Sequence, residues 1–530
     1  MHTDLLIQGG TILDGTGSAP RVADVAICDG RITAVGDLPA ATASEILDAS
    51  ECVVAPGFID IHSHSDFTLI VDPRAVSSIT QGVTLEVVGN CGHGCAPIGD
   101  PELARANIYG CRADHEIPWR SVAEYLDTLQ RQTPAVNVVT LVPNGNLRLA
   151  TAGLVDRPAT ASELVQMQRM LSRAFEEGAW GFSTGLEYGP ERGCSEAEIV
   201  QLCKLTARAG GIYATHTRNR AGQPQEAVAE AIRTSAAADV PLQISHISVV
   251  ARLIDDGREA VQQAIEQVTA ARRSGVNVGF DMHTRLFGTT HLSAALPPWA
   301  LEGDKAHIAQ RLRSPATRRE MKTYTSIVTA LAGNDWSRIL VFDCAAQPDW
   351  SQRSIAEIAE QRSGDPFDAI YDLLLAEIDR LHEVMVLALT YREPDLRLAF
   401  EHPDCMIGSD ATALAPDGPL AGTSFHGAYT WAGWFYRHFV RDQKMITPQE
   451  AVRRLTSLPA KRLGLPDRGV IRETARADLA IFEPELFAEC GTLFAPNQIA
   501  TGMRHVVVNG VITLRDGELT GRRGGQVLRR

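Results

Sequence analysis

The chain has 530 residues, 45% of them apolar and 22% charged, with a formal net charge of −14. That length exceeds one compact domain and supplies enough apolar residues for a large core. The acidic balance provides no phosphate-neutralising face, so nucleic-acid binding is excluded and solubility is favoured.

The first ten residues carry no basic stretch, and their apolar run stops at Gly9, so no signal peptide is expected. No uninterrupted apolar run of about 18 residues occurs, so no membrane span is expected. The ten cysteines are scattered and lack the density of a disulfide scaffold, which points to a reduced, cytoplasmic protein.

Residues 1–56 read as short strands, Asp4–Ile7, Thr11–Leu13, Val25–Cys28 and Arg31–Val35. Gly9-Gly10, Asp14-Gly15 and Asp29-Gly30 separate them as turns. Between residues 57 and 466, apolar strands alternate with helices. The predicted strands are Gly57–His62, Thr84–Val88, Val136–Val142, Gly181–Thr184, Ile212–His216, Leu242–His246, Val276–Asp281 and Met406–Asp410. Thr160 and Glu163 form a capping box before a helical run that stops at Gly178. Ser195 with Glu198 opens another helix, and Thr447-Pro448-Gln449-Glu450 combines an N-cap with a proline at the first helical position.

Eight strand–helix repeats imply an α/β protein with a (β/α)₈ TIM barrel. The repeat breaks between Asp281 and Met406, and residues 286–350 read as an inserted lid. Residues 467–530 return to short strands, Asp478–Phe482, Met503–Val508 and Val511–Leu514, with Asn509-Gly510 and Asp516-Gly517 as turns. The two β-rich ends, 1–56 and 467–530, are expected to form one small β-sandwich domain.

Most barrel strands run into a side chain able to hold a metal or move a proton. The first ends in His62-Ser63-His64, the second runs into Asn90-Cys91-Gly92, the fifth ends at His216, the sixth at His246 and the eighth at Asp410. Strand ends of such a barrel open at one mouth, so residues about 350 apart in sequence meet in space. His62 and His64 are two apart and share a strand face, which suits two imidazoles on one cation. A thiolate at Cys91 is a good zinc ligand, although a small buried cysteine is otherwise commonplace, and Cys95 reads as packing. A lone histidine ending a buried strand is more often a satisfied core residue. His216 and His246 on successive strands, beside the other three, favour ligation. Asp410 suits a proton shuttle, with a helix N-cap as its alternative. Asp60 is placed to support the histidines from behind.

These motifs resemble the amidohydrolase superfamily, and within it the N-acyl-D-amino-acid deacylases (D-aminoacylases). The resemblance spans nearly the whole chain. It rests on Gly57-Phe58-Ile59-Asp60-Ile61-His62-Ser63-His64, Gly89-Asn90-Cys91-Gly92, Gly181-Phe182-Ser183-Thr184-Gly185-Leu186, Thr215-His216-Thr217-Arg218-Asn219, Ser245-His246 and Ser409-Asp410. It implies a tight zinc at Cys91, His216 and His246, a weaker second metal position at His62 and His64, and Asp410 as the catalytic carboxylate. The expected activity is hydrolysis of a carbon–nitrogen bond other than a peptide bond, by metal-activated water, in an N-acyl amino acid of the D series. Another C–N bond, in a cyclic amide, urea, carbamate or amino-heterocycle, is the alternative, and a metal-free scaffold is a third reading.

No lysine ends a barrel strand, so a carboxylated-lysine bridge is not expected and Cys91 is the natural substitute. Glu187 is close enough in sequence to approach the site. The chain departs from the family where the substrate carboxylate is gripped. His426-Gly427-Ala428 lacks the expected arginine, Ser248 replaces a lysine, and Asp281-Met282-His283-Thr284-Arg285 replaces a tyrosine-rich motif. Arg218, Ser248, His283 and Arg285 are therefore the candidate substrate contacts. The expected partner is a small molecule, with no nucleic acid and no membrane, and homo-oligomerisation stays open.

Overall fold

The computed structural model describes residues 2–530 apart from 106, 112–114, 221, 248–256, 334, 363 and 382. Ser248, a candidate substrate contact, lies outside the described residues.

Eight strands build the barrel: β1 (Phe58–Asp60), β2 (Val83–Val88), β3 (Asn137–Pro143), β4 (Gly181–Gly185), β5 (Ile212–His216), β6 (Leu242–Ile244), β7 (Val278–Met282) and β8 (Cys405–Ile407). They pair in that order, all parallel. A parallel bridge from Ser63 to Ala411 brings the last beside the first. Every strand residue is buried, as parallel strands covered on both faces require. Alternation sorts their side chains into two cores. Ile59, Leu85, Val87, Val139, Leu141 and Ala214 share one cluster. Phe58, Val88, Val138, Val142, Phe182 and Tyr213 join a larger one with the surrounding helices.

The capping signals act as read. Thr160 and Glu163 close a capping box on helix Ala161–Glu176, Ser195 caps Glu196–Arg208, and Thr447 caps Pro448–Leu455. Each such cap contributes about 1 kcal/mol to its helix.

Both chain ends join one nine-stranded sheet, in which Val53–Pro56 pairs antiparallel with Leu479–Phe482. Strand His2–Ile12 carries Thr42–Asp48 beside its first half and Val53–Pro56 beside its second. Leu5, Val25, Val54, Ile481 and Val507 belong to the separate core of this β domain.

Between β7 and β8 lies a third unit. Its antiparallel sheet contains Gly288–His291, Ile339–Val341 and Met385–Ala388. Its core runs from Leu292 to Ala388, beyond the expected 286–350. Helices Ile355–Arg362 and Pro366–Ala376 account for the difference, because their periodicity matches that of a barrel helix. Among the described residues, no helix is long and apolar enough to cross a membrane.

Candidate metal centre

The mouth is shaped by where the strands stop. β1 ends at Asp60, β6 at Ile244 and β8 at Ile407. His62, His64, His246 and Asp410 therefore lie in the loops just past the ladder, not within strands as expected. Backbone geometry explains two of these ends. His246 and Asp410 have φ of 34° and 46°, and Cys91, past β2, has 53°. Left-handed backbone leaves the ladder and turns a side chain inward. It costs on the order of 1–3 kcal/mol at a non-glycine residue and gathers at functional sites. Gly92 follows Cys91 with φ 72°, and a Cβ there would collide with Glu191, so this loop tolerates no side chain at that position.

These turns bring the expected ligands together. His62 Nε2 lies 3.2 Å from Cys91 Sγ, and Cys91 Sγ lies 3.6 Å from His246 Nε2. Asp410 Oδ1 is 3.4 Å from His62 Nε2 and 3.2 Å from His64 Nε2. Two overlapping donor sets result, Cys91 with His216 and His246, and His62 with His64, Cys91 and Asp410. Within each set, the ligand atoms lie within 4.8 Å of one another.

The surroundings favour charged ligands. Burial alone would push the Cys91 thiol up, but the His62 charge and the close rings of His216, His246 and His62 hold it well below the usual thiol range. Burial would likewise raise Asp410, yet Arg285, His64, His62 and His246 keep it well below the usual carboxylate range. Imidazole, thiolate and carboxylate donors together suit zinc. Two buried ring nitrogens, Nδ1 of His64 and Nδ1 of His216, have no partner among the described residues, so the residues present fit a bound cation.

Carboxylates fix the rings from outside. Asp281 Oδ1 lies 3.1 Å from His62 Nδ1, and Glu187 Oε2 lies 2.8 Å from His216 Nε2. Asp60, expected to support the rings, instead accepts backbone amides, from His62 at 3.2 Å and Ser409 at 2.9 Å.

The candidate substrate contacts divide. His283 is buried beside His246, with ring centroids 6.2 Å apart. Arg285 donates through Nη2 to Asp410 Oδ2 at 2.7 Å and to Asp410 O at 2.8 Å, and through Nη1 to His426 O. Arg218 does not join them. It pairs with Glu230 and donates to the carbonyls of Arg192 and Cys194. Arg220 reaches the site in its place, bonded to Glu187 and His246. Sequence reasoning missed Arg220 and the orienting role of Asp281. For Asp281 a signal existed, a carboxylate near the end of an apolar barrel strand.

Fold and rim together define a class: a (β/α)₈ barrel whose strand ends converge on a cation-binding mouth. The amidohydrolase family model matches residues 45–514, and the chain belongs to that family. An N-acyl-D-glutamate deacylase of Alcaligenes xylosoxydans xylosoxydans is 32% identical over 99% of this chain and 96% of its own. A D-aminoacylase of the same organism is 31% identical over 99% of this chain and 98% of its own. Among solved structures, an N-acyl-D-glutamate deacylase from Bordetella bronchiseptica, complexed with zinc and a phosphonate inhibitor, superposes with a TM-score of 0.81 at 30% identity over all of both chains. A D-aminoacylase structure gives the same values.

Proposed function

We propose that the protein is a zinc-dependent amidohydrolase that cleaves the amide bond of an N-acyl amino acid of the D series. One observation carries this reading: the thiolate, four imidazoles and Asp410 form two overlapping donor sets at one barrel mouth. Relatives named N-acyl-D-glutamate deacylase and D-aminoacylase, and a similar structure that contains zinc, support it.

Cys91, His216 and His246 would hold the tight zinc, with His62, His64 and Asp410 offering the weaker second position. When bound, zinc polarises a carbonyl and lowers the pKa of a water from 15.7 to about 7. Asp410 is placed to take the proton of the attacking water and pass it to the departing nitrogen, as general base and then general acid. Arg285 grips both the carboxylate and the backbone carbonyl of Asp410, so it aims that shuttle. Glu187 holds Nε2 of His216 and leaves Nδ1 for the metal. His283 lines the pocket beside His246. The unit between β7 and β8 borders the mouth, where Phe287 and Phe342 each lie 5.1 Å from the His426 ring.

The test is hydrolysis by zinc-loaded protein across N-acyl amino acids of both hands and neutral amides, with metal content measured in parallel. Turnover of the D series with bound zinc is expected. Activity confined to neutral amides would move the reading to another C–N bond.

A further inference from the structure

A polar thread links the mouth to the opposite end of the barrel. Arg462, on helix Ser457–Leu463, lies where β6 and β7 begin. Its Nη1 donates to Asn277 Oδ1 at 2.6 Å, and its Nη2 donates to Leu242 O and, at 3.3 Å, to Asn277 O. Its Nε donates to Gln243 Oε1 at 3.2 Å. Burial and the charge of Arg272 pull its pKa down to about 10, so it stays a cation at neutral pH. A guanidinium has donors and no acceptor, so it decides which end of the Gln243 amide faces it. The oxygen turns to Arg462, and Nε2 donates to Asp281 Oδ2 at 2.8 Å.

Gly279 leaves the room for this arrangement. It is the register partner of Gln243, and Asp281 stands two residues further along the same face of β7. A Cβ at position 279 would lie 2.8 Å from both Arg462 Nε and Gln243 Oε1. A glycine inside a strand marks such a close approach. With Oδ2 held by Gln243, Asp281 turns Oδ1 to His62 Nδ1 at 3.1 Å and to the His246 amide at 2.8 Å. A reversed amide would set Oε1 against Oδ2, acceptor against acceptor, and the carboxylate would have to rotate away. Gln243 and Asp281 are both buried, so solvent does not soften that conflict.

We propose that Arg462 is a positioning residue for the metal centre: it locks the Gln243 amide in one orientation, and Gln243 in turn sets Asp281, the His62 ring and the His246 backbone. This rests on the zinc site proposed above. It gives the far end of the barrel a part in that site, through a residue that touches neither metal nor substrate. Lysine at 462 would offer a mobile point charge in place of the planar fork, and methionine would offer no donor.

Zinc affinity, measured by chelator competition, reads the thread without turnover. Arg462→Met and Gln243→Met should each weaken zinc binding about tenfold, the low end for outer partners of a metal site. The double variant should also lose only about tenfold, because both changes cut one path. Arg462→Lys should recover part of the loss. Gly279→Ala, which wedges the pair apart without touching either side chain's chemistry, should weaken zinc to a similar degree and stands in if Arg462→Met fails to fold. Asn277→Ala removes the Nη1 contact and leaves Nε on Gln243, so it should lower the denaturant midpoint and keep the parent's zinc affinity. Unchanged zinc affinity in folded Arg462→Met would overturn the proposal. Losses that multiply to about a hundredfold in the double variant would also overturn it, because Arg462 would then act by a route other than Gln243. A parent that binds no zinc would sink the zinc site and this proposal together. A parent that binds zinc and hydrolyses no N-acyl amino acid would sink the proposed function alone.

Discussion

Asp281 and His62 face each other across the barrel mouth, with Oδ1 of the carboxylate 3.1 Å from Nδ1 of the ring. The same oxygen accepts the backbone amide of His246 at 2.8 Å, and Oδ2 accepts Gln243 Nε2 at 2.8 Å. One buried carboxylate thus sets the rotation of one candidate ligand and the backbone of another. Asp281→Asn preserves the shape and removes the charge. We expect it to weaken zinc binding about 10- to 100-fold with the fold retained, measured by competition with a chelator. An unaltered affinity would mean that Asp281 only packs.

In the proposed mechanism Asp410 carries the proton, whereas Cys91, His216 and His246 would hold the tight zinc. Asp410→Asn should therefore lower kcat by about 10²- to 10⁴-fold while zinc content stays near that of the parent. Elemental analysis beside steady-state kinetics separates the two effects. Turnover at the parent rate would remove Asp410 from the mechanism.

Glu191 lies under the Cys91 loop, where burial raises its carboxyl to about 7, opposed by hydrogen bonds from Asn144 and the Gly185 amide. An acid raised in the folded state holds its proton there after the unfolded chain has lost it. Its stabilising contribution is complete below the unfolded pKa of about 4.5 and is lost as pH rises through about 7. Glu191→Gln keeps an oxygen to accept both hydrogen bonds and cannot ionise. Denaturant midpoints should show the variant gaining on the parent as pH rises from about 4.5 to about 7 and holding that gain above it. Parallel curves over that range would contradict this.

Thr474 is a β-branched residue at φ 71°, whose amide donates to Ile32 O at 2.8 Å. Strain there is on the order of 1–3 kcal/mol, against about 0.5–1 kcal/mol of extra chain entropy for glycine. Thr474→Gly should therefore stabilise the protein by about 1 kcal/mol in urea unfolding. A loss of stability would show that the threonine side chain contributes packing that outweighs the strain.

The barrel was legible because each of its strands is buried on both faces and reads as an apolar run between turn and helix signals. The candidate ligands were legible because chemistry-bearing residues recur where those runs stop. What turns them inward was not legible, since a left-handed residue at Cys91, His246 or Asp410 leaves no trace in hydrophobic periodicity. The choice between Arg218 and Arg220 shows the limit. Both lie just past His216, and Asn219 between them has φ 51°. The kink sends Arg218 to Glu230 and Arg220 to Glu187. Asparagine visits that region readily, so a turn was foreseeable, but which arginine it would deliver to the site depended on carboxylates far along the chain.

The unit between β7 and β8 closes its own core from Leu292 to Ala388 and returns the chain to the barrel close to where it left. Inheritance can therefore treat it as a replaceable module. In the proposed reading, where this unit borders the mouth, homologues exchanging this segment alone should trade preferences and keep their reaction.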